Sequence, residues 1–330
     1  MFSKKEASVS FVMKRIQMIA TDLGLQNSVY PRIQLSILLR MSMANNNETE
    51  TKRVFIVAIT IPTPSNKYIE TSCTAGIDDE GNWIRLYPVP LRRMQSNPEA
   101  CYRKYEWIDV ETMLPSNDRR PESRKCQFNS IRRLGQRIGT ENNWRERKNI
   151  VLKTKTGVYQ DFDKLLEDAD RKNIKVSLAV FKPTKVLDCI VKEKRVDKID
   201  AELAKQIPIM ESYIPDLFED DKHFIQSSPM LLEVQYVFED CNGKKHKMGI
   251  LDWEVYELFR HYYDPSKPQS IAVAKEKILQ KYRDEFISEK DLYFILGTRK
   301  EDHLQGFGKN PFSIIGVFYP KKDDQLEFDL

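Results

Sequence analysis

Ten basic side chains stand within thirty residues of this sequence, from Arg119 to Lys148. Three glutamates share the segment, which leaves it a charge of +7, whereas the whole chain carries +4 and the other 300 residues sum to −3. Eight of the ten are arginines, whose planar guanidinium groups suit bidentate contact with phosphate or guanine. A local positive potential of this kind favours a polyanion, so we predict that the segment binds nucleic acid, either DNA or RNA. The predicted contacts are Arg119, Arg120, Arg124, Lys125, Arg132, Arg133, Arg137, Arg145, Arg147 and Lys148.

Five aromatic side chains precede the basic segment within 25 residues, and cations such as Arg85 and Arg103 stand among them. Aromatic rings stack on unpaired bases, and an unstacked or modified base can be held by such rings. The same rings also suit the inward positions of β-strands, where they would fill a core instead. The predicted base-stacking residues are Trp83, Tyr87, Tyr102, Tyr105 and Trp107.

Two other functions compete with nucleic-acid binding alone. A metal-dependent nuclease would need clustered carboxylates around Mg²⁺ and a lysine near the attacked phosphate. Residues 146–148 have the form Glu-x-Lys, but such tripeptides recur by chance in a chain with 53 basic and 49 acidic residues. A module that binds an acidic protein is the other alternative. We expect no cofactor, apart from Mg²⁺ in the nuclease alternative, and the catalytic residues stay unassigned.

A second group of reactive side chains lies near the end of the sequence. Cys241, His246, Asp252, Glu254 and His261 fall within 21 residues, and each side chain can bind a metal. Their spacing matches no closed zinc pattern, so we predict no metal site. Asp252 instead is predicted to cap the helix that follows it, with Glu254 in the first turn.

Neither thiol nor nucleotide chemistry has a clear sequence signal. Cys73 precedes a glycine turn, but nothing near it in the sequence would activate a thiol, so a buried inert side chain is expected. The phosphate-loop patterns GxxxxGK[ST] and GxGxxG are absent from the sequence, and the GxG at Gly306 and Gly308 precedes a strand rather than a helix.

Cysteine usage and hydropathy indicate the compartment. The five cysteines are widely spaced and form no CxxC pair, which is typical of reduced cytoplasmic thiols rather than of a disulfide framework. No stretch approaches the roughly 20 apolar residues of a membrane-spanning helix. We therefore expect a cytoplasmic protein that does not bind membranes, of unknown oligomeric state.

The elements that position these residues are mostly short β-rich runs. Residues 1–52 are predicted to be an N-terminal extension, partly helical or disordered. Residues 53–149 form a β-rich module in which IDDEGNW (77–83) predicts a hairpin, and the basic segment a loop. Residues 150–330 alternate strands with helices. The fold class is thus α+β: two β-rich modules, each a mostly antiparallel sheet or small barrel, with flanking helices.

Overall fold

The computed structural model describes residues 49–65, 68–90, 99–170, 172–197, 199–200, 204, 229–299 and 310–322. The predicted N-terminal extension lies almost wholly outside these residues. Those described belong to one compact unit that spans residues 49–330.

The first half of this unit is a β-barrel built from five strands, with two short strands at its edges. The five are β1 (Glu50–Ile59), β3 (Ile69–Asp78), β4 (Trp83–Val89), β5 (Trp107–Met113) and β6 (Ser123–Cys126), and the short ones are β2 (Thr63–Ser65) and β7 (Arg132–Arg133). β1 pairs with β3 and β5, β3 pairs with β4, and β6 pairs with β5, all antiparallel, whereas β4 and β6 are parallel. The strand order β1-β3-β4-β6-β5 therefore closes on itself. This order is that of the oligonucleotide/oligosaccharide-binding (OB) fold, a five-stranded Greek-key barrel.

Alternating side chains and one tight turn produce this barrel. Ile84 and Leu86 of β4 point inward with Ile108 and Val110 of β5, as the two-residue period of a strand requires. The predicted hairpin is confirmed, because β3 and β4 are joined through a turn at Gly81, whose φ of 83° suits glycine.

Two helices lie in the sequence between the strands of the first half and those of the second. α1 spans Glu141–Val151 and α2 spans Phe162–Asp168, with a two-residue strand β8 (Val158–Tyr159) between them. The basic segment is thus a loop only in part, since its last residues lie in α1 and β7 pairs with β5. The buried face of α1 consists of Trp144, Arg147 and Val151. Because one of these three residues is charged, the sequence shows only a weak apolar periodicity for this helix.

The second half contains a three-stranded and a four-stranded sheet, which together are called the second barrel below. Its strands are β9 (Leu178–Phe181), β10 (Lys185–Glu193), β11 (Leu232–Glu239), β12 (Lys245–Gly249), β13 (Tyr293–Thr298) and β14 (Phe312–Phe318). β10 pairs with β11, β11 with β12, β14 with β13, and β13 with β9, all antiparallel. A parallel bridge between Ile250 and Ile314 links the end of β12 to β14. If β9 and β10 are counted as one interrupted strand, the order is again that of an OB barrel.

Helices connect β12 to β13 and pack on the second barrel. They are α3 (Trp253–Tyr262), α4 (Ser270–Leu279), a π-helical stretch (Gln280–Glu285) and α5 (Phe286–Glu289). Asp252 caps α3 as predicted, since its side chain accepts a hydrogen bond from the backbone N–H of Glu254. Val255 and Phe259 of α3 and Ile278 of α4 join the core of this barrel. The predicted α+β class, with β-rich modules and flanking helices, is confirmed.

Within the described residues, every helix is too short or too polar to cross a membrane.

Candidate nucleic-acid interface

Four of the ten predicted cations extend freely from the first half of the unit. Arg119 lies between β5 and β6, Lys125 on β6, Arg132 on β7 and Arg145 on α1, and all four side chains are exposed. None of them has an ion pair or side-chain hydrogen bond within the residues that the structure describes. Their positive charge therefore faces solvent uncompensated.

Two other predicted cations form ion pairs. Arg120 binds Asp118 through three side-chain contacts of 2.6, 2.9 and 3.2 Å and donates a further hydrogen bond to the carbonyl of Thr298. Burial raises the pKa of Asp118, but the hydrogen bonds from Arg120 outweigh burial and lower the pKa to about 2. Arg133 binds the buried carboxylate of Glu106 at 2.9 and 3.0 Å. These two arginines hold loops in place as well as adding charge.

Two more of the predicted arginines, both at least partly exposed, donate to backbone carbonyls. Arg124 donates to Pro121 and Ser123, and Arg137 donates to Lys104. A carbonyl oxygen satisfies the guanidinium hydrogen bonds without cancelling the positive charge. Arg124 is partly exposed and Arg137 is exposed, so both still contribute to the local potential.

Arg147 has a different environment, because it is buried. Its guanidinium lies 3.9 Å from the ring centroid of Tyr105 and 4.6 Å from that of Trp144, and it donates to the carbonyl of Ile138. Burial lowers the pKa of Arg147 from its ordinary value. This cation fixes α1 against the first barrel. Lys148, its neighbour on α1, is half-buried.

The five predicted aromatic residues lie in different environments. Trp83, Tyr102 and Tyr105 are buried, with 4, 4 and 2% of their surface exposed, and Trp107 is half-buried against Phe55. Tyr87 is 47% exposed. Burial raises the pKa of the Tyr102 and Tyr105 hydroxyls beyond their usual range, as expected for core tyrosines. A stacking role stays a prediction for the group, and Tyr87 has the most accessible ring.

The outer surface of β3 and β4 packs against the second barrel. Ile77 and Trp83 share one hydrophobic cluster with Leu178 and Ile295. In OB barrels, the second and third strands form the face that binds oligonucleotides. Here the second barrel covers much of that face of the first barrel, so a ligand would reach the first barrel from another side.

A buried polar network crosses the same contact. Arg85 of β4 donates to the backbone and side-chain oxygens of Ser177 at 2.8 and 3.1 Å, and Ser177 in turn donates its hydroxyl to Glu122 at 2.6 Å. Glu122 belongs to the basic segment, but its charge is used in this network rather than against the exposed arginines. Arg85 also contacts the thiol of Cys73, its Nη1 lying 3.4 Å from Sγ.

The group near the end of the sequence forms no metal site within the described residues, where no three His, Cys, Asp or Glu side chains gather suitably. His246 instead binds Asp240 at 2.9 Å and packs against Phe162. Asp252 and Glu254 both bind the buried ammonium of Lys104, at 3.3 and 3.0 Å. All five cysteines are free thiols.

Two family models cover nearly all of the described chain. The model described as Domain of unknown function (DUF8757) matches residues 158–330, more than half of the sequence. The chain belongs to this family. In this DUF8757 protein the preceding residues 50–153 match a second model, Domain of unknown function (DUF8758). No curated protein matches the chain.

Solved structures with a related arrangement are only distantly similar to this DUF8757 protein. The crystal structure of the p204 HINb domain aligns at 10% identity with a TM-score of 0.29, covering 84% of this chain and 100% of that one. A replication protein A heterotrimer bound to single-stranded DNA aligns at 8% identity with a TM-score of 0.21, covering 83% of this chain and 66% of that one. Both scores are low, so the OB-like strand order stated above rests on this chain's own strand pairing.

Proposed function

We propose that this protein binds nucleic acid and that the exposed cations between Arg119 and Arg145 supply its phosphate contacts. The observation that carries the proposal is three uncompensated cations on a barrel with the strand order of an OB fold, together with a fourth, Arg145, on α1. A surface cation without an acidic neighbour is free to displace the counterions of a phosphate backbone. The proposal covers both DNA and RNA, because both present the same phosphate backbone to these cations.

As a more specific part of this proposal, the protein binds an unstacked or modified base. Three of the five rings fill the core, so this role depends on Tyr87 and on the exposed part of Trp107. We further propose a cytoplasmic location, supported by the free thiols.

Salt dependence provides the main test of the proposal. The logarithm of the binding constant should fall linearly with the logarithm of salt concentration, with a slope of about −0.7 per phosphate contact for single strands and −0.9 for duplexes. In Arg132→Gln/Arg145→Gln, two contacts disappear, so the slope should become shallower by about 1.4 to 1.8. Arg133 is a poorer choice, because its loss would strand the buried carboxylate of Glu106.

A matched control separates contact from net charge. Arg195→Gln/Arg283→Gln removes two exposed arginines that pair with Asp197 and Asp284, and it changes the net charge equally. We expect the control to retain the wild-type slope. Equal slopes for all three proteins, or no binding of DNA or RNA at low salt, would overturn the proposal.

The same purified protein also distinguishes the two alternative functions from nucleic-acid binding alone. Cleavage of labelled DNA or RNA in the presence of Mg²⁺ would indicate the nuclease, for which the described residues present no metal cluster. Binding to an acidic polypeptide such as polyglutamate, with no binding to nucleic acid, would indicate the protein-interaction module.

A further inference from the structure

We infer that Tyr87, Lys125 and Met113 form a stacking site for an unpaired base, so that the ligand is single-stranded nucleic acid. This inference rests on the proposed nucleic-acid function and names the substrate class and the residues that select it.

The three residues lie side by side on the outer surface of the first barrel. Tyr87 of β4 lies opposite Lys125 of β6 in the parallel pair, and Lys125 lies opposite Met113 of β5 in the antiparallel pair. Residues opposite each other on adjacent strands project from the same face of a sheet. Their neighbours along the chain, Leu86 before Tyr87 and Cys126 after Lys125, point into the barrel core. The three side chains therefore form one row across three strands.

The Tyr87 ring is exposed, and its hydroxyl points towards β3. Its hydroxyl oxygen accepts a hydrogen bond of 3.4 Å from Thr71, a buried residue of β3. The hydroxyl thus has a partner inside the protein, and the ring presents its surface to solvent.

The position of the ring on β4 explains its exposure. Trp83 and Arg85 point to the same side of the strand as Tyr87, but the second barrel covers both. Tyr87 lies two residues further along, where that cover has ended. Leu114, which follows the end of β5, is also exposed, at 55%.

Cations lie within the row and on the chain segments that adjoin it. Lys125 lies within it, and Arg119 belongs to the loop that leads from Leu114 to β6. Arg132 lies opposite Asp109, four residues from Met113 along β5 and so about 13 Å away. Asp109 is already bound by Arg53 at 3.2 Å. A strand whose base stacks on Tyr87 could place neighbouring phosphates against Lys125 and Arg119.

A ring next to cations selects single strands over duplexes. In a duplex both faces of each base are covered by neighbouring bases, so stacking on Tyr87 would require an unstacking cost of a few kcal/mol. A single strand pays little of that cost, and a stacked base contributes about 1 to 3 kcal/mol. An acidic protein would contact the cations, but it has no need for the exposed ring.

The test compares three variants of the full chain on two probes, a fluorescein-labelled 12-nucleotide oligothymidylate and a 12-base-pair duplex. Tyr87→Ala should weaken single-strand binding by about 5- to 160-fold, the equivalent of the stacking energy, and leave duplex binding within about twofold. Tyr87→Phe keeps the ring and should bind like the wild type. Tyr87→Leu keeps apolar volume without an aromatic face, so its binding should resemble that of Tyr87→Ala. It provides a second test in case the smaller alanine variant misfolds.

Since none of these changes removes a charge, the dependence of binding on salt should stay that of the wild type. Unchanged single-strand affinity in both Tyr87→Ala and Tyr87→Leu, or an equal loss on the two probes, would overturn the stacking site and leave the proposed function standing. If the wild type binds neither of the two probes nor their RNA counterparts, the proposed function itself is overturned.

Discussion

Lys104 is a buried cation that joins the two barrels of this protein. Its ammonium contacts Asp252, which is fully buried, and Glu254, both at the start of α3. Burial by itself would lower the pKa of Lys104, but the two carboxylates raise it above its ordinary value. The residue therefore remains charged at neutral pH and neutralises a carboxylate that has no access to water.

Removing Lys104 should destabilise the protein strongly. In Lys104→Met the charge of Asp252 loses its partner, and breaking a buried pair from one side typically costs about 3 to 5 kcal/mol. The free energy of unfolding in urea measures this loss. Lys155→Met is the control, because Lys155 pairs with Glu80 at the surface and should change stability by less than about 1 kcal/mol. Similar small losses in both variants would show that the buried pair contributes no more than a surface one.

The same carboxylate should make stability depend on pH. Burial raises the pKa of Asp252 to about 6, with Lys104 opposing that shift. The folded protein then holds the proton more tightly than the unfolded chain, whose Asp pKa is about 3.9. The contribution of Asp252 is therefore full below about pH 4 and is lost as pH rises through 6.

Asp252→Asn isolates this contribution, since Asn can also cap α3 but does not titrate. The free energy of unfolding of the wild type, minus that of the variant, should decrease between pH 4 and pH 7. An increase over that range would mean that Lys104 dominates and holds the pKa of Asp252 below its ordinary value.

Helix α1 begins with three residues in an unusual backbone conformation. Asn142, Asn143 and Trp144 have φ values of 49, 51 and 62°, in the left-handed region. The Asn143 side chain exchanges two hydrogen bonds with the backbone of Lys321, and Trp144 packs on Phe318 and Tyr319. Contacts with the second barrel therefore hold the start of α1 in a conformation that a free helix would avoid.

Asparagine-to-glycine changes at two places in α1 should have opposite effects. At the exposed Asn142, with φ of 49°, glycine relieves the strain and should raise the free energy of unfolding by up to about 1 kcal/mol. At the exposed Asn149, in the regular part of the helix, glycine should lower it by a few tenths to about 1 kcal/mol. Thermal unfolding of the two variants against the wild type is the measurement. A loss of stability in Asn142→Gly would contradict the strain that its backbone angles imply.

The two barrels share part of their hydrophobic core. One hydrophobic cluster contains Phe55 and Trp83 from the first barrel together with Leu178, Val180 and Ile295 from the second. The predicted division into modules at residues 149 and 150 stays a prediction, but the shared cluster means that neither half has a core wholly its own. We expect residues 49–330 to unfold as one cooperative unit.

Leu178→Ala should therefore destabilise both barrels together, by about 2 to 5 kcal/mol. Two buried thiols report on them separately, Cys126 in the first barrel and Cys189 in the second, and burial raises the pKa of each to about 12. Pulse labelling in urea, read by peptide mass spectrometry, should show both thiols becoming reactive at one midpoint that moves down in the variant. A shift for Cys189 without a shift for Cys126 would show independent barrels.

Local features of the sequence determined the strands, the hairpin and the helix cap of this protein. The run WIRLYPV forms β4, the polar turn after Asp78 joins β3 to β4, and Asp252 caps α3. Strand period, turn residues and capping side chains act over a few neighbouring residues, so they can be recognised without knowing the fold. The excess charge of the basic segment is also a property of composition.

Which of these residues are accessible depends on how the two barrels pack together. Tyr87 and Trp83 have the same residue class and lie on the same side of one strand, yet the second barrel buries only the latter. Likewise Arg145 and Arg147 are two residues apart on α1, but Arg147 is buried against Tyr105 and Arg145 faces solvent. Exposure depends on contacts between segments far apart in the chain, and the recurrence of the barrel in the second half arises from such pairings as well. Short-range sequence patterns do not contain that information.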